Sequence, residues 1–117
     1  MISGPVAAMP FTHHYASHEP LREDIEALAG DTLLEFGAPW CGHCIAAQAP
    51  IESAMAGREL RHLKVEDGRG RPLGRSFRIK LWPTLVLLRD GSEMARVVRP
   101  TTMQEVAQLL QHVSGET

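Results

Sequence analysis

Ala38-Pro39-Trp40-Cys41-Gly42-His43-Cys44 holds both cysteines of this chain. Thiols spaced Cys-x-x-Cys can close into a small, strained disulfide ring and reopen it by exchange. No other cysteine competes for either partner. The spacing therefore marks a chain that moves electrons through Cys41 and Cys44. Just upstream, Thr32-Leu33-Leu34-Glu35-Phe36 has the character of a buried strand interrupted by one carboxylate. Just downstream, Ile45 to Leu60 is rich in Ala, Met and Glu and is expected to be helical. Pro50 inside it removes a backbone donor and should kink it. A dithiol at a strand-to-helix junction points to an α/β fold.

Further out, the pattern supplies the remaining elements. Phe11 to Ala16 suggests a short first strand. A helix is expected from Pro20, with Leu21, Ile25 and Leu28 as its apolar stripe and Gly30 as its stop. His62 to Glu66 is a short strand, Asp67 to Pro72 a loop, and Leu73 to Phe77 a short helix. Thr84-Leu85-Val86-Leu87-Leu88 is apolar on both faces and hence a central strand. Arg89-Asp90-Gly91-Ser92 turns the chain into an alternating strand, Glu93 to Val98. Thr102 and Glu105 form a capping box ahead of Val106, Leu109, Leu110 and Val113. The predicted order is β-α-β-α-β-α-β-β-α, with residues 1–10 as a flexible lead-in and 11–117 as a single domain.

With 117 residues, 44% hydrophobic and 22% charged, the chain can bury a core without staples. A net charge of -2 is too near neutral to argue for nucleic acid or an anionic membrane as the partner, and neither is expected. No apolar run approaches the roughly 18–20 residues of a membrane span. Met1 to Pro10 lacks the basic region and hydrophobic stretch of a secretory signal. A monomer in a reducing cytoplasm is expected; a periplasmic or other oxidising setting follows instead if a signal has been removed. Basic residues cluster between Arg58 and Lys80, as a solvated flank or a docking surface for an acidic partner.

The element order, with Cys-x-x-Cys where a buried strand meets a helix, resembles the thioredoxin fold. That resemblance implies a central mixed sheet of four to five strands flanked by helices on both faces. Leu34 to Cys44 is similar to the active-site segment of protein disulfide isomerase domains. Trp82-Pro83-Thr84 stands where the family carries its cis-proline, and Arg89-Asp90-Gly91 matches the family's hairpin. The likeness covers roughly residues 20 to 113.

Cys41 is expected at the amino end of a helix, where unpaired N–H groups favour a thiolate. It would be the nucleophile, with Cys44 resolving the mixed disulfide and Gly42 as supporting residue between them. A permanent disulfide is the plain alternative. No metal is expected, since a structural zinc wants about four ligands and the histidines are scattered.

His43 stands where ordinary thioredoxins carry proline. Positive charge there favours the Cys41 thiolate and makes the disulfide a better oxidant. Reference potentials of about −270 mV for thioredoxin and about −180 mV for protein disulfide isomerase differ by about 4 kcal/mol. Glu35, a carboxylate costly to bury unless partnered, would by resemblance exchange a proton with Cys44. Lys64 would tune that carboxylate. Trp40, Trp82 and Pro83 would form the substrate platform, with the residue before the cis-proline pairing with the substrate backbone.

The resemblance implies a disulfide oxidoreductase without cofactors beyond the Cys41/Cys44 disulfide. Its partners would be disulfide-containing proteins and a recycling reductase or oxidant. The contrasting reading is a binding module that uses the Trp40/Trp82 surface, the thiols being incidental. Three positions depart from the family pattern. Gly37 replaces an aromatic and should loosen the site's support. Pro50 falls one residue late, and Arg99 replaces a glycine.

Overall fold

A computed structural model describes residues 11–113; the expected lead-in 1–10 and residues 114–117 lie outside the described residues. In chain order the elements are α1 (Arg22–Glu26), β1 (Asp31–Gly37), α2 (Gly42–Met55) and β2 (Arg61–Glu66). They continue with α3 (Pro72–Ser76), β3 (Thr84–Arg89), β4 (Ser92–Val98) and α4 (Met103–Leu110). The strands form one mixed sheet in the order β2-β1-β3-β4. β1 runs parallel to β2 and antiparallel to β3, and β3 pairs antiparallel with β4.

Alternation along the strands sorts the side chains into two layers. Leu33, Leu85 and Leu87 pack with Ala47, Ile51 and Met55 of α2 and Val106, Leu109 and Leu110 of α4. Leu34, Phe36, Val65, Val86 and Leu88 pack on the other face with Ile25 of α1 and Leu73 of α3. Helices thus cover both faces, and β1 is buried from Thr32 onward. Glu35 belongs to the α2 face by that same alternation.

Turn chemistry fixes the ends. Asp90 and Gly91 both take positive φ (50° and 81°), the two-residue hairpin geometry that matches the twist of the flanking strands. A Cβ on Gly91 would lie 2.2 Å from the Glu26 carbonyl oxygen, so the hairpin tip fits under α1 only as glycine. The tip is fastened by Gly30 N–H donating to Asp90 Oδ1 at 2.8 Å. At α4, Glu105 N–H donates to Thr102 Oγ1 at 3.2 Å and Thr102 N–H donates to Glu105 Oε1 at 3.1 Å.

The structure departs from the expected element bounds in three places. Phe11 to Ala16 is not a strand. Its Thr12 N–H goes to the His62 ring at 2.9 Å and its Thr12 hydroxyl to the His62 carbonyl at 2.6 Å. With those groups engaged, the backbone-to-backbone bond from this segment to β2 is Ala16 N–H to the Lys64 carbonyl (2.8 Å). The segment therefore covers the β2 edge without extending the sheet. α1 begins after Leu21, which stays exposed, and ends at Glu26, short of the expected stop at Gly30, so Ile25 is its buried residue and Leu28 packs from the turn that follows. α2 starts at Gly42 and contains Pro50; its end precedes Gly57, whose φ of 78° is non-helical.

Candidate active site

Cys41 caps the amino end of α2, and its sulfur accepts the Cys44 N–H at 3.3 Å. The cap is set by a tight turn in which Cys41 N–H donates to the Ala38 carbonyl at 3.2 Å. Both cysteines are free thiols; Cys41 is 8% exposed and Cys44 1%. One helical turn therefore sets Cys41, the less enclosed of the two, beside an almost fully enclosed Cys44. Burial, and then a hydrogen bond with Cys41, push the Cys44 thiol up to about 12. Cys44 holds its proton at neutral pH, so it needs a base before it can attack.

Behind the thiols lies a polar cluster the sequence showed only in part. Glu35 is fully buried, and its Oε1 lies 2.8 Å from His62 Nε2. Because His62 Nδ1 already accepts the Thr12 N–H, the ring proton sits on Nε2 and is donated to the carboxylate. Gln48 Nε2 donates both to Glu35 Oε2 (2.9 Å) and to the Cys44 carbonyl (2.8 Å), tying the carboxylate to Cys44. Lys64 reaches the cluster indirectly. Its Nζ donates to Gln48 Oε1 at 2.7 Å and to the His13 carbonyl at 3.1 Å.

Tyr15 completes the cluster. Its hydroxyl hydrogen bonds Cys44, and burial raises its pKa above the ordinary phenol value. Lys64 Nζ lies 4.6 Å from the Tyr15 ring centroid. Gly37 makes this approach feasible. A Cβ there would stand 2.6 Å from Cys44 Sγ and 3.0 Å from the Tyr15 oxygen. The expected loosening at Gly37 is thus met by a side chain arriving from outside the sheet. Beside these groups a cavity of about 470 Å³ is lined by Tyr15, Cys44, Gln48, Lys64 and their neighbours.

On the outer side, the Trp82–Pro83 peptide bond is cis. Trp82 packs against the Cys41/Cys44 cluster and meets Trp40 edge-on, with ring centroids 5.5 Å apart. Trp82 Nε1 donates to Asp67 Oδ2 at 2.9 Å. Asp67 lies flush on Gly74, where a Cβ would stand 2.1 Å from its Oδ1. Trp40 remains 71% exposed. His43 and Gly42 are exposed on the first turn of α2, and His43 lines a small cavity with Pro83 and Arg99.

The structure therefore brings Cys41, Cys44, Glu35 and Lys64 into one cluster and Trp40, Trp82 and Pro83 onto one rim. Tyr15, Gln48, His62 and Asp67 were not singled out as site residues. His62 carried a usable signal, an ionisable residue alternating with Lys64 on a strand otherwise facing the core. Among the described residues no group of three or more His, Cys, Asp or Glu could hold a metal ion. No helix among them is long and apolar enough to cross a membrane.

Comparison with known proteins agrees with this geometry. The thioredoxin family model matches residues 12–112. Thioredoxin H2-1 of Oryza sativa subsp. japonica is 31% identical over 97 residues, 81% of this chain and 70% of that protein. Thioredoxin 2 from Pseudomonas aeruginosa PAO1 in its reduced form superposes with a TM-score of 0.77 at 51% identity, covering 85% of this chain and 93% of that one. A Gallus gallus protein disulfide-isomerase is 37% identical over 68 residues, 54% of this chain but 13% of that protein.

Proposed function

The chain belongs to the thioredoxin family and is a disulfide oxidoreductase of it, and on that premise we propose that it exchanges disulfides in protein substrates through Cys41 and Cys44. Family members use no cofactor beyond the redox-active dithiol. The observation that carries the proposal is the pairing of Cys41, at a helix start and the less enclosed of the two, with a buried, proton-retaining Cys44.

The Cys41 thiolate attacks one sulfur of a substrate disulfide. The S–S bond breaks, one substrate thiolate leaves, and a mixed disulfide forms. Cys44 then gives its proton to Glu35, the carboxylate that Gln48 ties to the Cys44 carbonyl. The Cys44 thiolate attacks the Cys41 sulfur, closing the Cys41–Cys44 disulfide and releasing the second substrate thiolate, which takes up a proton as Glu35 gives its own back. Two electrons pass from the dithiol to the substrate. A reductase restores the dithiol, or an oxidant runs the cycle the other way. The Trp82 backbone beside cis-Pro83 receives the substrate chain, with Trp40 as an apolar wall and Lys64 tuning Glu35 through Gln48.

His43 in place of proline adds a basic group at the first turn of α2 and favours a potential nearer the isomerase end. We also infer a single domain over 11–117, in keeping with the family match over residues 12–112, and a monomer in a reducing cytoplasm.

The test uses two variants. Cys41→Ser should abolish dithiothreitol-driven reduction of insulin, while Cys44→Ser should accumulate the mixed disulfide, seen by mass. Insulin reduction by Cys41→Ser at the wild-type rate would sink the proposal. The 71% exposure of Trp40 favours one second reading, a protein-binding module with incidental thiols. Under that reading the Cys41→Ser/Cys44→Ser protein keeps its partners and its biological role.

A further inference from the structure

Arg99 occupies a place that suits glycine. Its φ is 50°, in the left-handed region that side chains rarely adopt. The residue grips the Trp82–Pro83 unit at both ends. Its N–H donates to the Pro83 carbonyl at 2.8 Å, and its Nε donates to the Trp82 carbonyl at 2.8 Å. That second acceptor is the one a substrate backbone would use in the reading above. Arg99 makes no ion pair among the described residues, so its terminal nitrogens keep unspent donors.

Next to the guanidinium lies a cavity of about 80 Å³, lined by His43, Ala46, Pro83, Arg99, Pro100 and Thr101. One water needs about 10–15 Å³ of such space, so a carboxylate-bearing tip fits. Arg99 and His43 are the basic members of that lining. The carboxylate bonded to a lining residue is Glu105, and its Oε1 is occupied by the N–H and hydroxyl groups of Thr101 and Thr102. The remaining donors therefore favour an anion from outside.

We propose that Arg99 is a specificity residue of the substrate groove, resting on the Trp82 carbonyl in the free protein and taking a carboxylate next to the substrate disulfide when that chain docks. The proposal rests on the Trp82–Pro83 unit being the substrate platform. A guanidinium fits a carboxylate through two parallel N–H donors, which a lysine cannot reproduce. The Trp82 carbonyl has two lone pairs and can accept a substrate N–H beside or instead of Arg99. Substrates with glutamate or aspartate beside the disulfide gain an ion pair on docking. Neutral ones displace Arg99 without that return, and basic ones meet like charge.

The experiment measures kcat and KM for a set of disulfide peptides differing only in Glu, Gln or Lys beside the cysteine. It compares the wild type with Arg99→Gly, which suits the backbone, and Arg99→Lys. Wild type should favour the Glu peptide over the Gln peptide by about tenfold, the yield of one charge-assisted contact, mainly through KM. The Lys peptide should rank last, and added salt should compress the range. In Arg99→Gly the Glu/Gln ratio should fall to about one, while Arg99→Lys keeps part of it. The ratio is the readout, so a general change in rate cancels. A wild-type ratio near one, or a ratio that survives Arg99→Gly, overturns the role of Arg99. Failure to reduce any peptide disulfide instead overturns the oxidoreductase reading beneath it.

Discussion

His62 donates its Nε2 proton to the Glu35 carboxylate across 2.8 Å, inside a sheet where neither side chain meets water. The direction of that bond is fixed from outside, because Thr12 N–H occupies the other ring nitrogen. Glu35 is thereby supplied with neutral donors on both oxygens, from His62 and Gln48. Both carboxylate oxygens thus have a hydrogen-bond partner inside the core.

Removing the donor exposes what it offsets. His62→Leu should destabilise the protein by about 2–3 kcal/mol, since a buried carboxylate loses a partner. Glu35→Leu in that background should recover part of the loss. Urea midpoints of the two singles and the double measure the coupling. Additive effects would show that the 2.8 Å contact contributes nothing to stability.

The chain has one tyrosine, so phenolate absorbance reports Tyr15 alone. Burial, then the charges of Cys44 and Glu35, hold its ionisation above the ordinary value. Absorbance near 295 nm should stay flat through pH ~10, where a free phenol titrates. It should rise only at higher pH or on unfolding. A midpoint at the free value would mean that the hydroxyl is not enclosed against Cys44.

Stability of the reduced protein should fall with alkalinity in a way the oxidised protein does not share. The Cys44 thiol moves from an ordinary 9.0 to about 12 on folding. Between those values the folded state holds a proton that the unfolded state has released. The contribution is whole below pH ~9 and is lost as pH rises toward about 12. The disulfide form has no such proton. Denaturation curves of both redox forms from pH 7 to 11 test this; parallel decline would contradict it.

Gly74 controls Trp82 at one remove. Gly74→Ala would drive a methyl to 2.1 Å from Asp67 Oδ1, displacing the carboxylate that receives the Trp82 indole. Overpacking and the lost bond together should cost about 2 kcal/mol. Tryptophan emission should shift, and the KM for protein disulfides should rise. Asp67→Asn, which keeps an acceptor, should be milder on all counts.

His43→Pro should lower the reduction potential by several tens of mV, within the span from about −180 to about −270 mV that separates isomerases from thioredoxins. Equilibration with glutathione gives the value. An unchanged potential would remove His43 from the redox poise.

The legible parts were those written in adjacent residues. The Cys41–Cys44 spacing, the Thr102/Glu105 capping box and the Asp90-Gly91 turn each need only a few neighbouring positions. Glu35 was legible as a carboxylate breaking an apolar run. The unread parts depend on distant segments meeting. Tyr15 reaches Cys44 only because the 11–16 segment lies along β2, and that segment was expected to be a strand. Its backbone and side-chain bonds to His62 are what prevent a ladder, and no local pattern announces them. Asp67 likewise gains meaning only when α3 brings Gly74 beneath it.

The two-layer sorting along β1 has a consequence for how this protein can change. Leu34 and Phe36 point to one layer, Leu33 and Glu35 to the other, in strict alternation. Replacing a letter in Asp31–Gly37 alters one contact, but inserting or deleting one reverses the whole strand. Glu35 would then lie among Val65, Phe77 and Val86, with the sheet between it and the sulfurs. The distance in sequence from Gly30 to Cys41 is thus held more tightly than the residues that fill it. Loops such as 68–71, which obey no such parity, are where length is free to drift.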